Sequence, residues 1–378
     1  MKIAVNTRFL LQGKMEGIGW HNYELLRRLV ALRPDDEFLF LFDRPYDAGF
    51  VFADNVRPLV VPPPARHPLL WYLWFEWAVP RVLRKQQADV FLSPDGYCSL
   101  RTPVPTVMIT HDIAHVHYPE QIPGLVRRYY NYFVPRYLRR AERVLTVSEA
   151  VRQDIHTYYG IPLEKMTVAH NGLRGQFAPL PETEQAAVRQ KYADGQPYFF
   201  YLGAIHPRKN LVRLIRAFDL FKKEIDSPVQ LLIGGRMAWQ AGPVQAAWQA
   251  ARHQSAIHFL GYLDDREVER VLGAALGLTY VSLFEGFGLP ILEAMHAEVP
   301  VITSNSSSMP EVAGDAALLV DPEDEKAIAA AMLYVWREPD FRQRLIAAGR
   351  EQRTRFSWNR TAHLVSTALD QVTSPHPP

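Results

Sequence analysis

Residues 279–311 constrain the chain more than any other stretch. A β-like run over 278–283 leads into the turn Glu285-Gly286-Phe287-Gly288, a helix signal over 290–297 and a second strand over 299–303. Together these make one βαβ unit with a glycine-lined turn where the first strand meets the helix. Pro290 suits a first helical turn, because the N–H it lacks would be unpaired there anyway. The glycines let the backbone approach a ligand closely, and free amides at a helix start favour an anion. Glu285 precedes the helix and Glu293 lies about one turn inside it. A diphosphate at the helix start, with carboxylates gripping hydroxyls on either side, describes a pocket for a sugar nucleotide.

The rest of the chain repeats strand–helix alternation in both halves, which predicts an α/β protein with two parallel sheets. Its 378 residues exceed one compact core and fit two domains. With 48% hydrophobic and 22% charged residues the chain is globular, and a net charge of +2 gives no field that marks a nucleic-acid partner. A single cysteine, Cys98, excludes an internal disulfide and reads as a packing residue in a reducing compartment. The chain opens directly on the strand-like Lys2-Ile3-Ala4-Val5, which reads as having no signal peptide, and the apolar run 69–75 is shorter than the ~20 residues of a membrane span. The expectation is a cytoplasmic enzyme.

In chain order, residues 2–6 read as a buried strand, and Gly17-Ile18-Gly19 precedes an amphipathic helix over 21–32. Asn22 stands where a dinucleotide fingerprint needs a third glycine. Strands follow over 38–42, 56–61, 90–93, 106–110 and 144–148, and the last of these reads as the final clear strand of its half. The strand at 106–110 ends in His111-Asp112, and polar residues past a strand's carboxyl end are where ligands bind in open α/β sheets. His115 and His117 lack supporting carboxylates and read as loop or acceptor-groove residues, not metal ligands. The aromatic segment 69–77 and the arginine–tyrosine helix 127–140, with a kink expected at Pro135, read as lining the acceptor side. A second reading rests them on an anionic membrane surface.

Residues 179–181 read as a linker, and a strand over 198–202 opens the second half. Arg208 and Lys209 then sit between that strand and a helix over 211–221, where the helix dipole disfavours cations. An anionic ligand resolves that conflict. Further strands are expected at 229–233 and 257–260, the latter followed by Gly261-Tyr262-Leu263 and a helix beginning at Asp264. Helices over 325–336, 340–350 and 359–372 close the chain, and a tail over 373–378 reads as disordered.

The nonapeptide from Glu285 to Glu293, EGFGLPILE, resembles the E-x7-E signature of the retaining glycosyltransferases grouped as family 4 (group 1). Ser148-Glu149-Ala150, Val168-Ala169-His170-Asn171-Gly172, Gly261-Tyr262-Leu263, Ser308-Met309-Pro310-Glu311 and 317–321 extend the likeness over nearly the whole chain. The resemblance implies the GT-B architecture of two Rossmann-like domains facing a central cleft. Its implied divisions are 1–175 for the acceptor, 176–357 for the donor, and 358–378 as a helix crossing back with its tail. It also implies that Glu285 contacts hydroxyls of the donor sugar and that Glu293 holds the nucleotide ribose. Gly286, Phe287, Gly288 and Leu289 would present amides to sugar and phosphates, with Gly17 and Gly19 over the diphosphate. Arg208 and Lys209 would hold the phosphates, although the family's Arg usually lies a few positions earlier, where this chain has Ala204 and Ile205. His111 would touch the sugar near its 6-position, Asp112 the acceptor, and Tyr262 and Leu263 the base.

The implied reaction moves a hexose from a nucleoside-diphosphate sugar to a saccharide or lipid-linked saccharide acceptor with retained configuration. The leaving phosphate would assist deprotonation of the acceptor, so no enzyme residue need become glycosylated. No Asp-x-Asp occurs in the chain, so neither metal nor other cofactor is expected. His111-Asp112 followed by Tyr118-Pro119-Glu120 resembles mannosyl- or rhamnosyl-transferring members, which makes GDP-mannose the first donor to test and a UDP-sugar the next. A sugar-nucleotide epimerase, a pyridoxal-phosphate phosphorylase and a non-enzymatic sugar-nucleotide sensor remain alternatives. Nucleic acid is not an expected partner.

Overall fold

A strand that is apolar at every position can bury both faces, and such strands belong in parallel sheets covered on both sides by helices. The run 38–42, Phe-Leu-Phe-Leu-Phe, is buried throughout, and so is 198–201, Tyr-Phe-Phe-Tyr. The computed structural model describes residues 1–13, 15, 17–225, 227–236 and 242–373. It divides the chain into two units, Met1–Gly172 with Ser357–Pro378, and Leu173–Phe356. The tail read as disordered lies, from residue 374 on, outside the described residues.

In unit 1 the strands are β1 (Lys2–Asn6), β2 (Glu37–Phe42), β3 (Val56–Val60), β4 (Val90–Ser93), β5 (Thr106–Thr110), β6 (Arg143–Thr146) and β7 (Met166–Val168). They form one parallel sheet in the order β3-β2-β1-β4-β5-β6-β7. β1 is an interior strand: Val5 lies opposite Phe40 on one side and Leu92 on the other. The order reverses between β1 and β4, so their carboxyl ends flank the crevice where such sheets take ligands.

Unit 2 repeats the plan with β8 (Tyr198–Leu202), β9 (Gln230–Gly234), β10 (Ile257–Gly261), β11 (Gly277–Tyr280), β12 (Val301–Ser304) and β13 (Ala317–Val320). The order is β10-β9-β8-β11-β12-β13, all parallel, and the reversal falls between β8 and β11. Gly235, at φ +145°, follows β9, and a Cβ there would fall 1.9 Å from the Gly203 carbonyl oxygen. Glycine is therefore required where the ends of β8 and β9 close on each other.

Several expected boundaries move. The first helix runs Gly17–Leu32, so Gly17 and Gly19 belong to its opening turn and not to a loop ahead of residue 21. The reason is steric: a Cβ at Gly19 would lie 2.8 Å from the Phe9 carbonyl oxygen, so the glycine lets the helix begin against that loop. β11 stops at Tyr280, and residues 281–283 continue without ladder pairing. The strand at 143–146 is not the last of its sheet, because β7 adds on Val168 opposite Thr146. Between the expected linker and β8 stands a helix, Glu182–Ala193, which buries Val188 and Ala193. The helix Gly124–Arg140 continues through Pro135. The final helix, Trp358–Thr373, packs on the first helix within unit 1, where Arg33 Nη1 donates to Ser366 Oγ at 2.7 Å. No helix among the described residues is long and apolar enough to cross a membrane.

Candidate active site

The reversal between β8 and β11 gathers the residues singled out by charge. β8 leads through Gly203 into the short turn Pro207–Lys209, where His206 Nδ1 accepts from the Arg208 amide at 3.4 Å. Asn210 follows at φ +61°, and its side chain donates to the Val281 carbonyl at 3.0 Å and the Pro322 carbonyl at 2.6 Å. The Leu283 amide donates to the Arg208 carbonyl at 2.9 Å. The basic turn is thereby fastened to the segment leaving β11.

That fastening brings the Lys209 ammonium to Glu285, Nζ to Oε1 2.5 Å, and to the Tyr280 hydroxyl at 3.3 Å. Tyr280 in turn donates to the same Glu285 oxygen at 2.8 Å and stacks on Tyr201, ring centroids 6.4 Å apart. Burial works against the Glu285 charge, but Lys209 and then Arg208 outweigh it and hold the carboxyl below its ordinary value. Glu285 is thus an ionised acceptor, already oriented, in the turn that follows β11. The Arg208 guanidinium lies 6.0 Å from the Phe284 ring centre and adds to the same positive field.

The loop carrying Glu285 is pinned from behind. Ser307 Oγ accepts from the Glu285 amide at 3.2 Å and donates to its carbonyl at 2.6 Å. Ser308 Oγ lies 2.9 Å from the Glu285 carbonyl and 2.7 Å from that of Phe287. Ser307 holds φ +56°, an uncommon conformation for a residue with a side chain, which the bonds on both sides maintain. Ser307 was not among the expected site residues, and Ser308 only as part of a family motif. The signal was present as the run Ser304-Asn-Ser-Ser-Ser308 after β12, a composition that by itself reads only as a turn.

The turn then passes through buried Phe287, edge-on to Phe356 at 5.6 Å, and Gly288 at φ +109°. Gly286 lies half-buried between Glu285 and Phe287. The helix Leu289–His296 begins with Leu289 half-buried, and no side chain caps its Gly288 end. Glu293 is buried within that helix and has a different environment from Glu285. Arg174 Nε approaches its Oε1 at 3.7 Å, while burial, opposed by Arg174 and assisted by Asp265 and Glu269, pushes its carboxyl up to about 7. Past β10, Tyr262 is 77% exposed and Leu263 is buried.

In unit 1, His111 follows β5 and its Nε2 donates to the Pro94 carbonyl at 2.9 Å. That bond leaves Nδ1 as the acceptor nitrogen. His21 meets the His111 ring edge-on at 4.6 Å and bonds Asn171 Oδ1 through Nδ1 at 2.8 Å. Burial lowers the pKa of both imidazoles. Asp112 Oδ1 accepts from the Ala114 amide at 2.9 Å. His117 pairs with Asp154 at 2.8 Å, and His115 bonds the Tyr159 hydroxyl at 2.9 Å. Gly17 is exposed and Gly19 buried on the first helix. A further feature was missed: Arg8 after β1 meets Asp95 after β4, Nε to Oδ2 2.6 Å, at the reversal of the first sheet.

Comparison with known proteins gives this geometry its family. Residues 183–352 match the model described as glycosyl transferases group 1, and residues 15–174 that of glycosyltransferase family 4. The chain is similar to the O-antigen chain mannosyltransferase B of Escherichia coli, 31% identical over 382 residues, covering 95% of this chain and 96% of that protein. Among solved structures it resembles the sucrose-phosphate synthase of Thermosynechococcus elongatus, with TM-score 0.78, 18% identity and 98% of both chains covered. It also resembles the Anabaena HepE protein in complex with UDP-glucose, with TM-score 0.70, 18% identity, and 98% and 100% of the two chains covered. These structural likenesses speak to the fold, which is the α/β GT-B class built of two Rossmann-like parallel-sheet domains. With both halves matched and a relative of this identity spanning nearly the full length, the chain belongs to the group 1, family 4 glycosyltransferases.

Proposed function

We propose that the protein transfers mannose from GDP-mannose to a glycan or lipid-linked saccharide, with retention of configuration and without a metal ion. The observation that carries the reading is the Lys209–Glu285–Tyr280 cluster at the β8–β11 reversal. Breaking the bond between sugar C1 and phosphate requires charge to be stabilised on the departing diphosphate, and preorganised positive groups in a buried site do this well. Lys209, Arg208 and the start of helix Leu289–His296 supply that potential. Glu285, held ionised, accepts hydrogen bonds from sugar hydroxyls and opposes positive charge developing on the ring. Its lowered pKa makes it a poor general acid, which fits a route in which the leaving phosphate oxygen takes the acceptor proton on the same face. His111, through Nδ1, is the group proposed to meet the sugar, and Asp112 the acceptor. Cations held by the protein, together with the absence of any Asp-x-Asp in the sequence, support the metal-free part of the reading.

The mannosyl donor is supported by the name of the Escherichia coli relative, and a glycan acceptor by its O-antigen chain. A UDP-sugar is the second reading, favoured by the likeness to HepE with UDP-glucose. The test is transfer from GDP-mannose and UDP-glucose to saccharide acceptors in EDTA, with the product's anomeric configuration read by NMR. An α-linked product from GDP-mannose in EDTA is expected. Product only from a UDP-sugar, loss of activity in EDTA or an inverted linkage would each overturn the corresponding part.

Contact with an anionic membrane face belongs to the same proposal. Helix Gly124–Arg140 carries five arginines and no acid, and Leu125 and Tyr132 are exposed on it. Beside it, Leu69, Leu73 and Trp77 are exposed on the segment joined through the Tyr72–Phe133 ring contact at 6.0 Å. Arg136 stacks over Tyr132 at 3.7 Å and Arg101 over Trp77 at 4.0 Å. Apolar rings with guanidinium groups above them suit the headgroup boundary. Co-sedimentation with phosphatidylglycerol vesicles but not phosphatidylcholine vesicles, weakened by Trp77→Ser, is expected. Equal behaviour with both lipids would contradict it.

A further inference from the structure

The Glu293 carboxylate is buried and poorly partnered by the protein. It is 2% exposed, yet among the described residues no donor bonds its carboxylate, and the nearest cation, Arg174, stands off at 3.7 Å. Buried carboxylates are normally hydrogen-bonded, because an unsatisfied one costs several kcal/mol. A ligand that brings hydroxyl donors to this point resolves the deficit. The long Arg174 approach supplies charge while leaving the carboxylate oxygens open to accept.

The placement of Arg174 is built. Its Nη1 lies 3.3 Å from Asp265 Oδ1 in the first turn of helix Asp265–Gly273. The next residue, Gly175, takes φ +75°, and a Cβ there would sit 2.8 Å from Glu269 Oε1. The same Glu269 oxygen accepts from the Gln176 amide at 2.9 Å. Segment 174–176 is therefore fastened to that helix at two points, with the guanidinium between the helix's acids and Glu293. The charged groups acting on Glu293 among the described residues are Arg174, Asp265 and Glu269, and only the first favours its ionised form.

We propose that Arg174 is a positioning residue of the donor site: bridging Asp265 and Glu293, it keeps the Glu293 carboxylate as a double acceptor for the vicinal hydroxyls of a ribose. The inference rests on the reading that Glu293 belongs to a nucleotide-sugar site. Without the guanidinium, burial and the two neighbouring acids keep Glu293 protonated, and a carboxylic acid cannot accept from both hydroxyls equally. Arg174 thus sets both the preference for a ribose over a deoxyribose and the pH at which that preference appears.

The experiment is calorimetric titration of the full chain with GDP and 2′-deoxy-GDP, and with UDP and 2′-deoxy-UDP, across the pH range around 7, alongside donor KM and kcat. For the wild type the ribose form is expected to bind more tightly, with the preference growing as pH rises through about 7. Arg174→Met is expected to lose about tenfold of that preference at neutral pH, the equivalent of one hydrogen bond to a charged acceptor, with KM raised and kcat little changed. Arg174→Lys restores part of it. Glu269→Gln, which keeps an acceptor for Gln176 but removes a negative charge, moves the pH limb downward, opposite to Arg174→Met. A merely structural role does not produce shifts of opposite sign. Wild-type preference and pH limb retained in Arg174→Met or, if that variant does not fold, no limb shift in Arg174→Lys and Glu269→Gln, overturns the inference and leaves the donor site standing. Equal wild-type binding of ribose and deoxyribose forms overturns the assignment of Glu293 to the donor site, and the inference with it.

Discussion

The two sheets place a cation and a carboxylate at the same topological point and use them differently. In unit 1, Arg8 after β1 meets Asp95 after β4 at 2.6 Å; in unit 2, Lys209 near the end of β8 meets Glu285 after β11 at 2.5 Å. The first pair is sealed, with side chains 4% and 0% exposed, and the guanidinium lies 4.1 Å from the Tyr97 ring and 5.2 Å from that of Phe75. The second retains 16% exposure at the lysine and sits beside glycine turns. A planar guanidinium between aromatic faces is fitted to a permanent buried pair, whereas a lysine on a flexible stem can change partners. The same crevice of the same fold thus holds a sealed structural rivet in one unit and a partly exposed charged pair in the other.

The sharpest way to break that contrast is to remove one partner in each unit. Asp95→Ala leaves a buried guanidinium unpaired and is expected to cost about 3–5 kcal/mol of stability, read by denaturant unfolding. Glu285→Gln, which preserves shape and an acceptor for Lys209, is expected to lower kcat about 10²–10³-fold, or ~2.7–4 kcal/mol, with a small change in melting. If Asp95→Ala unfolds like the wild type while Glu285→Gln collapses, the rivet is in the other unit.

Acid response separates the two carboxylates of the second unit. Glu285 lies below its ordinary value of 4.5, so the stability it contributes is present above that pH and lost as pH falls through its lowered value. Glu293 is raised to about 7 from 4.5, so its contribution is present below 4.5 and lost as pH rises towards 7. That window corresponds to on the order of 3 kcal/mol. Unfolding followed from acid to neutral pH is expected to show this slope in the wild type and to lose it in Glu293→Gln. A smaller effect is expected behind Glu285, where Ser308→Ala removes a hydroxyl shared by two carbonyls and costs about 1–2 kcal/mol. An unchanged melt and an unchanged donor KM in that variant would show that the serine run does not hold the loop.

Local chemistry made the second site legible in the sequence and left the first hidden. Glu285, the glycine turn and Pro290 are neighbours in the chain, and Lys209 stands out because a cation at a helix start contradicts the dipole. Arg8 and Asp95 are 87 residues apart, and nothing in either segment tells that β4 will lie beside β1. The strand β7 has three residues, too few for a periodic signal. The helix Glu182–Ala193 buries little, so its apolar stripe is faint. Arg174 became visible only when helix Asp265–Gly273 and helix Leu289–His296 were brought to the same segment. Strand and helix types follow from short-range pattern, whereas the groups that tune the carboxylates are set by sheet order.

Ligand-dependent melting addresses the central claim most directly. At 100 times its dissociation constant a nucleoside diphosphate adds ~2.7 kcal/mol to the stability of the state that binds it. The wild type is expected to gain this from GDP or UDP, Lys209→Ala to lose most of it, and Asp95→Asn to keep it. If GDP, UDP, ADP and dTDP all leave the wild-type melt unmoved, or if the gain survives in Lys209→Ala and vanishes in Asp95→Asn, the donor does not bind at the β8–β11 reversal.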